Sequence, residues 1–502
     1  MKVVTSAAMA RIDSRSQTEF AIPSLVLLED AGVKAWAAVR RFVWKGRTPR
    51  TLLVFVAGRG NNGGDALVMA RQASVEGLAP LSVVLAGPRP APDSDPGRML
   101  AMCESLGIEC VSWPVQAELA RARLAEAGWI FDGIAGTGLQ GALRPPLAEL
   151  ALLLNEAPGR RIAIDVPSGI GDGFRADYPA VRASVTLTMG LPKLCLYLPA
   201  ARLRCGRIIV VPVGFPPALV QDASIPGELL PTRAWRSIAP PIPPDTYKNK
   251  RGHCAVFAGS PGTPGAAWLC ATAAARSRVG LVTIFVESAA YAALAPRCAS
   301  VMCRAWDAPR AGQAAPWDAS AYSGVLVGPG WGLAEEKARW LDQLLASPSR
   351  GVIDADALTM LGKRPGGADC GGRWVLTPHP GEFARLASTE RTVVLDDPVG
   401  QCLSASGRFN AVVVLKGHVT VIAAPDGRYW ILDGANPALA TGGSGDVLAG
   451  IIAGGIAGGM SPTDAALFGV SLHASVGRSA ARSRGWFLAE DLVPLISRAL
   501  WT

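Results

Sequence analysis

The sequence predicts two α/β domains in tandem, on three observations. At 502 residues the chain is too long for one ordinary core. Short apolar runs alternate with helical patterns in both halves, which is typical of βαβ units around a largely parallel sheet. A proline-rich, aperiodic stretch at about residues 215 to 247 interrupts this alternation. We therefore place domains at 1–215 and 241–502, joined by a linker at 216–240.

The composition favours small anionic ligands over nucleic acid. Half of the residues are hydrophobic and 18% are charged, as in compact globular proteins. The net charge of +9 comes mainly from arginine, since the chain has only nine lysines. There is no run of like charges and no basic stripe with interleaved aromatics, so we expect no nucleic-acid partner. A basic balance suits nucleotides.

Cysteine usage and hydropathy predict a soluble cytoplasmic protein. The ten cysteines form no CxxC pair, and four histidines are few for a metal site, so scattered reduced thiols are expected. Residues 1–15 lack the apolar core of a signal peptide, and the apolar segment 447–460 is too short and glycine-rich to span a bilayer. We expect no membrane partner.

In the first half, polar residues follow successive predicted strands. Ligands of open α/β sheets gather outside the carboxyl ends of the strands, so these residues should converge. A helical pattern over 66–77 follows the first strand. The predicted strands are TLLVFVAG (51–58), LSVVLAG (81–87), WIFDGIAG (129–136), RIAIDVPSG (161–169), VTLTMG (185–190) and RIIVVPVG (207–214).

The first strand leads into a glycine-rich loop. Gly58, Gly60 and Gly63 satisfy the dinucleotide pattern GxGxxG. The next strand, however, does not end in the acidic residue that would hold an adenosine ribose, which disfavours a conventional Rossmann dehydrogenase. The two asparagines and Asp65 in this loop therefore need another explanation.

Later strand ends supply oxygen ligands. Asp132 precedes a loop of backbone donors at 136–138, and Asp165 and Ser168 follow the next strand. Oxygens of Asn62, Asp132 and Ser168 would suit a hard cation. Each residue alone also has a structural interpretation, because Asn-Gly and Asp-Gly form turns and a serine after proline can cap a helix. Their position on successive strand ends favours a shared pocket.

The motifs GNNGGDA, FDGIAGTGL, DVPSG and MGLPK resemble, in order and spacing, the epimerase domain of NAD(P)H-hydrate repair enzymes. This resemblance covers essentially 1–215 and implies a domain that interconverts the R and S epimers of hydrated NADH and NADPH. It implies K⁺ binding by Asn62, Asp132 and Ser168. The residues implied to contact the hydrate are Asn61, Asn62, Gly63, Gly64, Asp65, Gly136, Thr137, Gly138, Leu139, Gln140, Gly141, Ala142 and Asp165.

The same resemblance implies that Asp165 and Lys193 form the catalytic pair. A carboxylate with a nearby ammonium can move protons during epimerisation of a hemiaminal carbon. Taken alone, Lys193 could equally be a solvated surface lysine. The sequence departs from the family motif at Ala66, where glycine is usual, and we expect the added methyl group to tighten the loop.

The βα alternation restarts in the second half. Each predicted strand brings glycine, a small polar residue or a charge to the same edge. The strand-bearing segments are GHCAVFAGS (252–260), GLVTIFVE (280–287), SGVLVGPG (323–330), GVIDADAL (351–358), RWVLTPHPGEF (373–383) and AVVVLKGHVTVIAAPDGRYWIL (411–432).

The segment TGGSGDVLAG, residues 441–450, predicts an anion site. Gly442, Gly443 and Gly445 leave backbone N–H groups bare before a helix that begins near Asp446, and anions bind at such helix N-termini. A carboxylate at that position would repel the anion, so its presence needs a functional explanation. A role as general base is one such explanation.

The turn LKGHVT can meet phosphate oxygens or the rim of an adenine. Lys416 and Thr420 flank it, and Gly417 allows close approach. The chain has no GxxxxGK(S/T) motif, which excludes a P-loop kinase.

TPHPGE, LKG and GGSGD resemble, in order, the ADP/ATP-dependent NAD(P)H-hydrate dehydratase domain of the ribokinase-like superfamily, over about 240–502. The resemblance implies that Gly443, Ser444 and Gly445 hold the transferring phosphoryl group. Asp446 would deprotonate the attacking hydroxyl, and phosphate would then leave to restore the nicotinamide ring. The nucleotide would be ADP or ATP with Mg²⁺. Ser444 replaces a commoner threonine and keeps the hydroxyl.

The same resemblance also implies which residues of this domain contact the hydrate and the nucleotide. The residues implied to line the hydrate site are Ala266, Gly330, His379 and Asp446. Those implied to bind the adenine nucleotide are Lys416, Gly417, His418, Val419, Thr420 and Gly445. His379 could instead be a turn residue between two prolines. Asp354 and Asp356 could be helix caps or could organise Mg²⁺ through water, and we favour a structural role for Asp354.

Three functions remain open at this point. The first is a bifunctional enzyme that repairs hydrated NADH and NADPH. The second is a ribokinase-like kinase that phosphorylates a small alcohol. The presence of the tandem N-terminal domain argues against this second function. The third gives that domain a non-catalytic nucleotide-sensing role, for which Ala66 is the only hint. Sequence leaves open the choice of ADP or ATP, the preferred hydrate, substrate channelling and the subunit number of the homo-oligomer that we expect.

Overall fold

A computed structural model describes residues 1–78, 80–310, 317–364 and 368–501. The chain divides into two compact units, Met1–Gly227 and Glu228–Thr502. In the part of the chain described, no helix is both long and apolar enough to cross a membrane.

The residues predicted to form a linker at 216–240 are divided between the two units. Leu219 is buried in a small cluster of the first unit with Met9 and Leu191. Leu230 and Trp235 belong to the main core of the second unit. Three of the apolar side chains among these prolines are therefore buried, and the chain passes from one unit to the next at residues 227 and 228.

The first unit is built on a parallel sheet of seven strands with the order β4-β3-β2-β5-β6-β7-β8 in the described residues. The strand order reverses between β2 and β5, which makes that point the switch where such sheets bind ligands. The elements are β1 (Lys2–Val3), α1 (Ser6–Thr18), α2 (Ser24–Ala38), β2 (Leu52–Ala57), α3 (Asn61–Val75), β3 (Leu81–Ala86), α4 (Asp95–Ser105), β4 (Glu109–Trp113), α5 (Ala117–Glu126), β5 (Ala127–Gly133), α6 (Leu147–Glu156), β6 (Arg160–Ile164), β7 (Val185–Met189), α7 (Pro199–Arg202), β8 (Arg207–Val211) and α8 (Pro217–Val220).

The side chains of β2 alternate between two hydrophobic clusters, which lie on opposite faces of the sheet. Leu53 and Phe55 pack in the cluster that contains α2, α3 and α4. Val54 and Val56 pack in a second cluster with α5 and α6. Because successive side chains of a strand point to opposite faces, a continuous apolar run is what a doubly covered strand requires. The result is a three-layer unit with its strand ends free to carry a site.

The second unit contains a larger sheet with the order β18-β17-β16-β15-β14-β13-β10-β11-β12. Strands β10 to β16 are parallel, and β17 and β18 are antiparallel additions at one edge. The elements are β9 (Gly227–Leu229), α9 (Trp235–Ile238), β10 (His253–Phe257), α10 (Pro264–Ala275), β11 (Leu281–Val286), α11 (Ser288–Leu294), β12 (Met302–Ala305), β13 (Gly324–Val327), α12 (Glu335–Ala346), β14 (Gly351–Ile353), α13 (Ala355–Gly362), β15 (Trp374–Leu376), α14 (Pro380–Ala387), α15 (Arg391–Asp396), α16 (Pro398–Phe409), β16 (Val412–Leu415), β17 (Val419–Ala423), β18 (Tyr429–Asp433), α17 (Ser444–Ala457), α18 (Pro462–Arg484) and α19 (Ala489–Trp501).

The glycine-rich helix α17 is buried against α10. A Cβ at Gly450 would lie 2.2 Å from the carbonyl oxygen of Cys270, so only glycine permits this approach. On the opposite face of the sheet, Phe257 stacks on Phe285 with ring centroids 4.8 Å apart, and Trp340 of α12 packs against it. The small residues of α17 thus serve helix packing and fix where its N-terminus lies.

Candidate active sites

The first candidate site contains a buried ion pair between Asp165 and Lys193. Lys193 is only 1% exposed and donates hydrogen bonds to Asp165 Oδ1 and, at 2.5 Å, to the carbonyl of Met189. The N–H of Met189 donates to the same Asp165 oxygen at 3.2 Å. The alternative of a solvated surface lysine is therefore wrong, and the two residues predicted as a pair lie in direct contact.

A cavity of about 430 Å³ opens onto this ion pair. Asp65 lines it, is only 7% exposed, and has an Oδ1 atom without a hydrogen-bond partner in the described residues. Burial raises the pKa of Asp65 well above its ordinary value, the charge of Asp165 adds to this, and Lys193 opposes it. The cavity therefore holds a proton donor and an ion-paired carboxylate together. The predicted residues that line it are Asn61, Asn62, Asp65, Gly136, Thr137, Gly138, Asp165 and Lys193.

Two predicted contact residues lie beneath the cavity instead. A Cβ at Gly63 would lie 1.8 Å from the carbonyl oxygen of Gly58, so this glycine lets the first turn of α3 approach the preceding loop. Gly64 packs in the same way against Leu28. Ala66 is fully buried in the core beside Gly133. Residue 66 lies inside α3, where its methyl group faces the core; the expected tightening of the loop stays a prediction.

The remaining predicted contact residues lie further along the same loop. Leu139, Gln140 and Ala142 line a second cavity of about 600 Å³, whereas Gly141 lines neither. Gly60 and Ile134 line both cavities. The loop after β5 therefore runs from one cavity into the other.

The residues predicted to bind a cation form an oxygen-rich cluster. Asp132 is fully buried and accepts from the Ser168 hydroxyl at 2.5 Å and from the Ser168 N–H at 2.8 Å. Ser168 thus binds a carboxylate rather than capping a helix. Both polar side-chain atoms of Asn62 are buried without a partner in the described residues, and Asn62 packs against Gly136.

The electrostatics of this cluster suit a hard cation. Burial raises the pKa of Asp132 to about 6, although hydrogen bonds from Ser168 and Ile134 lower it. A cation would favour the ionised carboxylate and would satisfy the free amide oxygen of Asn62. Among the residues described, no group of three or more His, Cys, Asp or Glu side chains could hold a metal ion, so any metal here depends on mixed oxygen ligands.

The second candidate site lies at the N-terminus of α17. The helix begins at Ser444, two residues before the predicted start, and its N-cap Gly443 adopts φ 86° without a side-chain capping bond. The Ser444 hydroxyl donates to the carbonyl of Leu439 at 2.8 Å, so this side chain fastens the turn. The backbone N–H groups are left for an anion.

Asp446 stands in the first turn of this helix with a strongly shifted pKa. The pKa of Asp446 is raised to about 7, chiefly by burial and then by the charge of Asp354; Lys416 lowers it and Glu382 raises it by smaller amounts. A carboxylate with a pKa near neutrality is suited to general base catalysis at physiological pH.

Lys416 connects the acidic residues to the glycine turn. Its Nζ lies 3.0 Å from Asp354 Oδ1 and 3.8 Å from Glu382 Oε2. A Cβ at Gly445 would lie 3.3 Å from the same ammonium. Asp354 is 2% exposed and occupies the N-cap position of α13 without a side-chain capping bond. It is the partner of Lys416.

His379 is the N-cap of α14. Its Nδ1 accepts from the N–H of Gly381 at 3.0 Å, and Glu382 Oε2 accepts from the His379 N–H at 2.8 Å, which completes a capping box. Because Glu382 also approaches Lys416, the cap places His379 next to the charged cluster. The structural interpretation and the predicted site position are thus compatible.

Two further loops meet near the α17 N-terminus. A Cβ at Gly330 would lie 3.0 Å from the Cβ of Ala266, so these two predicted residues are neighbours. The Asp356 carboxylate accepts from the N–H of Gly332 at 2.7 Å and ties the loops after β13 and β14 together. A Cβ at Gly443 would lie 2.5 Å from Leu269 on the same helix as Ala266.

The predicted nucleotide turn connects β16 to β17. The Thr420 hydroxyl donates to the carbonyl of Gly417 at 3.1 Å and so closes the turn itself. Val419 is buried at the start of β17, and the carbonyl of His418 accepts from Gly434 at 3.1 Å. Lys416 alone among these residues reaches the carboxylate cluster in the described contacts.

Sequence reasoning missed two residues of this site. Glu382 lies in the TPHPGE motif. Its place in the sequence indicates a capping role and gives no sign that it approaches Lys416. His473 on α18 carries no motif. The pKa of His473 is lowered to about 4, chiefly by burial; a hydrogen bond with the Ser444 backbone opposes this, and the Lys416 charge contributes to the lowering. A neutral imidazole therefore supports the glycine turn.

Taken together, the two units define an enzyme with two sites at the carboxyl ends of α/β sheets, one suited to proton transfer and the other to phosphoryl transfer. The model of the family described as NAD(P)H-hydrate dehydratase matches residues 254–498, and that of the YjeF-related protein N-terminus matches residues 24–195. The Bifunctional NAD(P)H-hydrate repair enzyme Nnr of Moorella thermoacetica is 35% identical, over 100% of this chain and 97% of its own length. The chain belongs to this family of bifunctional NAD(P)H-hydrate repair enzymes.

Two further proteins are similar to this chain. The protein of the same name from Coxiella burnetii is 33% identical over 87% of this chain and 88% of its own. A crystal structure of ADP/ATP-dependent NAD(P)H-hydrate dehydratase from Bacillus subtilis, co-crystallized with ATP/Mg²⁺, is 27% identical and covers 55% of this chain and 98% of that one, with a TM-score of 0.48. The predicted fold class of two tandem α/β domains, the first built on a parallel sheet, is confirmed; that the second domain is ribokinase-like stays a prediction.

Proposed function

We propose that this chain repairs hydrated NADH and NADPH through two activities. The N-terminal domain interconverts the R and S epimers, and the C-terminal domain dehydrates the S epimer at the expense of ADP or ATP, giving AMP or ADP and phosphate. The observation that carries this proposal is the placement of Asp446, a buried carboxyl with a pKa of about 7, at an uncapped helix N-terminus beside Lys416.

The dehydration proceeds in two steps at this site. Asp446 takes the proton of the hydrate hydroxyl, whose oxygen attacks the terminal phosphorus of ADP or ATP, and the bond to AMP or ADP breaks. The phosphorylated carbon then loses phosphate, and a proton leaves the adjacent ring carbon to restore the double bond. Phosphorylation is needed because hydroxide is a poor leaving group and phosphate a good one.

The groups around Asp446 stabilise the charge that moves. Backbone N–H groups of Gly445 and its neighbours face the transferred phosphoryl group, and the Lys416 ammonium lies beside them. The remaining contacts stay proposals: Ala266, Gly330 and His379 for the hydrate, and the turn 416–420 for the nucleotide.

Mg²⁺ fits this site as a companion of the nucleotide. Asp354 is engaged by Lys416 and Asp356 by Gly332, so the described carboxylates form no dedicated metal cage. Mg²⁺ commonly binds through substrate phosphates with few protein ligands and neutralises phosphate charge when bound.

The epimerisation uses the first site. The hydrate carbon carries a hydroxyl beside the ring nitrogen, so protonation lets the hydroxyl leave as water while the nitrogen supplies electrons. Water then adds to the other face and gives up a proton. Asp65, with its raised pKa, donates the first proton, and Asp165, held by Lys193, accepts the second.

K⁺ fits the cluster of Asn62, Asp132 and Ser168, on the evidence of the unpartnered Asn62 amide and the buried Asp132 carboxylate. When bound, a monovalent cation would hold the loop after β5 in place. Replacing K⁺ by tetramethylammonium should lower the epimerase rate and the thermal stability of the wild type, and Asn62→Ala should remove both responses. Equal responses in both proteins would speak against this site.

Separate assays test the two activities. Incubation of purified S hydrate with Mg²⁺ and either nucleotide should release one phosphate for each reduced nicotinamide recovered. Incubation of R hydrate without nucleotide, followed by chromatography, should yield the S epimer. A phosphorylated product that accumulates without recovery of the nicotinamide would instead support a plain kinase. Failure of epimerisation by the wild type would support a sensing role for the first domain.

A further inference from the structure

The second cavity of the N-terminal unit has no role in the chemistry described above. It measures about 600 Å³ and lies at the carboxyl ends of β3 and β4, away from Asp165 and Lys193. Its walls are mostly apolar, with Trp113 at the end of β4 and Pro146 among them, and Trp113 Nε1 donates to the Pro146 carbonyl at 3.0 Å. An apolar cavity of this size is suited to a flat heterocyclic group.

This cavity adjoins the catalytic one. Gly60 and Ile134 line both. Gly60 is also the N-cap of α3, and no side chain caps that helix. The first site also contains Asp65, which lines the catalytic cavity and has a buried oxygen without a partner among the described residues. Consider a ligand with one ring at Asp65 and a second ring in the apolar cavity. The group that links its two rings would lie at the N-terminus of α3, and the backbone N–H groups of a helix N-terminus bind a pyrophosphate well.

The lining of the second cavity carries positive charge and no carboxylate in the part of the chain described. Arg59 and Arg144 line it. Neither guanidinium makes an ion pair or a hydrogen bond with the described residues, whereas nearby Arg89 is paired with Glu104. Arg59 adjoins the α3 N-cap, at the junction of the two cavities.

Arg144 follows the loop after β5 and lines the second cavity. The segment that follows it approaches the end of β3, since a Cβ at Gly87 would lie 3.9 Å from Leu147. In folds with this switch point, the end of the second strand meets the adenosine ribose: an acidic residue there binds the 2′-hydroxyl, and an arginine accommodates a 2′-phosphate. Here the acidic residue is absent and an arginine stands nearby.

We propose that the second cavity binds the adenosine end of the hydrated dinucleotide, with Arg59 at the pyrophosphate and Arg144 at the 2′-phosphate, so that the epimerase prefers NADPH hydrate. This inference rests on the proposed function of the first site. It assigns a specificity-determining residue to a reaction whose chemistry occurs in the neighbouring cavity.

The test compares epimerisation of the two R hydrates by the full chain, by Arg144→Gln and by Arg175→Gln. Arg175 is an exposed arginine of the same unit that lines neither cavity, so its variant matches the charge change. One charge-assisted bond to phosphate corresponds to about a tenfold preference in kcat/KM. Arg144→Gln should abolish the preference by lowering the rate with NADPH hydrate alone, and Arg175→Gln should retain it.

Two results would overturn the inference: no preference in the wild type, or a loss in Arg144→Gln that is equal for both hydrates. A second measurement separates this outcome from failure of the proposed function. Titration calorimetry with 2′-phosphoadenosine 5′-phosphate, which lacks nicotinamide, should show about tenfold weaker binding to Arg144→Gln and unchanged binding to Arg175→Gln. If that difference appears in a chain without epimerase activity, the binding site stands and the epimerase proposal falls.

Discussion

Replacement of Asp446 by asparagine should remove dehydratase activity and stabilise the protein at alkaline pH. Asparagine cannot accept the hydroxyl proton, and a lost general base costs roughly 10²- to 10⁴-fold in kcat. Asparagine also resembles the neutral carboxyl that burial favours. The pKa of Asp446 is about 7 against an ordinary value of 3.8.

The size of the stability effect follows from that shift. A carboxyl with a raised pKa destabilises the folded state where it must ionise, so the penalty is complete above the folded pKa and disappears below the unfolded one. Three pKa units correspond to an upper limit of about 4 kcal/mol, or several degrees in Tm for a domain of this size. The Tm gain should therefore be largest at pH 8 and should vanish toward pH 4.

The assay follows the regained absorbance of the reduced nicotinamide from S hydrate with ATP and Mg²⁺, together with thermal unfolding between pH 4 and pH 8. Asp426→Asn, an exposed aspartate in the turn after β17, is the matched control and should change neither quantity by much. An inactive Asp446→Asn protein whose Tm falls at pH 8 would refute the reasoning, because the loss would then reflect damage to the fold.

Three further outcomes are expected. The dehydration rate should be half-maximal near pH 7 and about tenfold lower at pH 6 than on its plateau, because Asp446 must be deprotonated; Glu382→Gln should move that midpoint down, because the Glu382 charge raises the pKa of Asp446, and an unmoved midpoint in a pH–rate series would exclude the coupling. Lys193→Met should abolish epimerisation and lower stability by about 3–5 kcal/mol in urea unfolding, since it leaves Asp165 buried without its partner, and retained epimerase activity would contradict the pair. Gly63→Ala should destabilise the N-terminal unit, because its Cβ would lie 1.8 Å from Gly58, whereas Gly60→Ala, which would meet nothing within 4 Å, should not; equal Tm values for the two variants would count against this packing.

The two-domain fold and the edges that carry the sites were accessible from the sequence because they follow from local patterns. Apolar runs of strand length, each followed by polar residues or glycine, predict parallel strands with functional carboxyl ends. The anion site before α17 followed in the same way from three glycines and Asp446. The linker was predicted from proline content alone, which does not report that Leu219, Leu230 and Trp235 are buried.

The electrostatics of the sites were not accessible, because they depend on residues far apart in sequence. Lys416 and Asp354 are separated by 62 positions and lie 3.0 Å apart. No spacing rule identifies His473 beneath the glycine turn, or distinguishes a buried Lys193 from a solvated one. Asp354 looked like a helix cap because aspartate commonly precedes a helix, and only its contact with Lys416 reveals its other role.

The central claim is that both sites of this chain work on one substrate. It is tested most directly by supplying the full chain with a racemic mixture of NADH hydrate, ATP, Mg²⁺ and K⁺, and by measuring the final recovery of reduced nicotinamide. We predict complete recovery in the wild type and recovery that stops at about half in Asp165→Asn, since only the S epimer would then be consumed. Recovery that stops at half in the wild type, or that needs no nucleotide, would contradict the account.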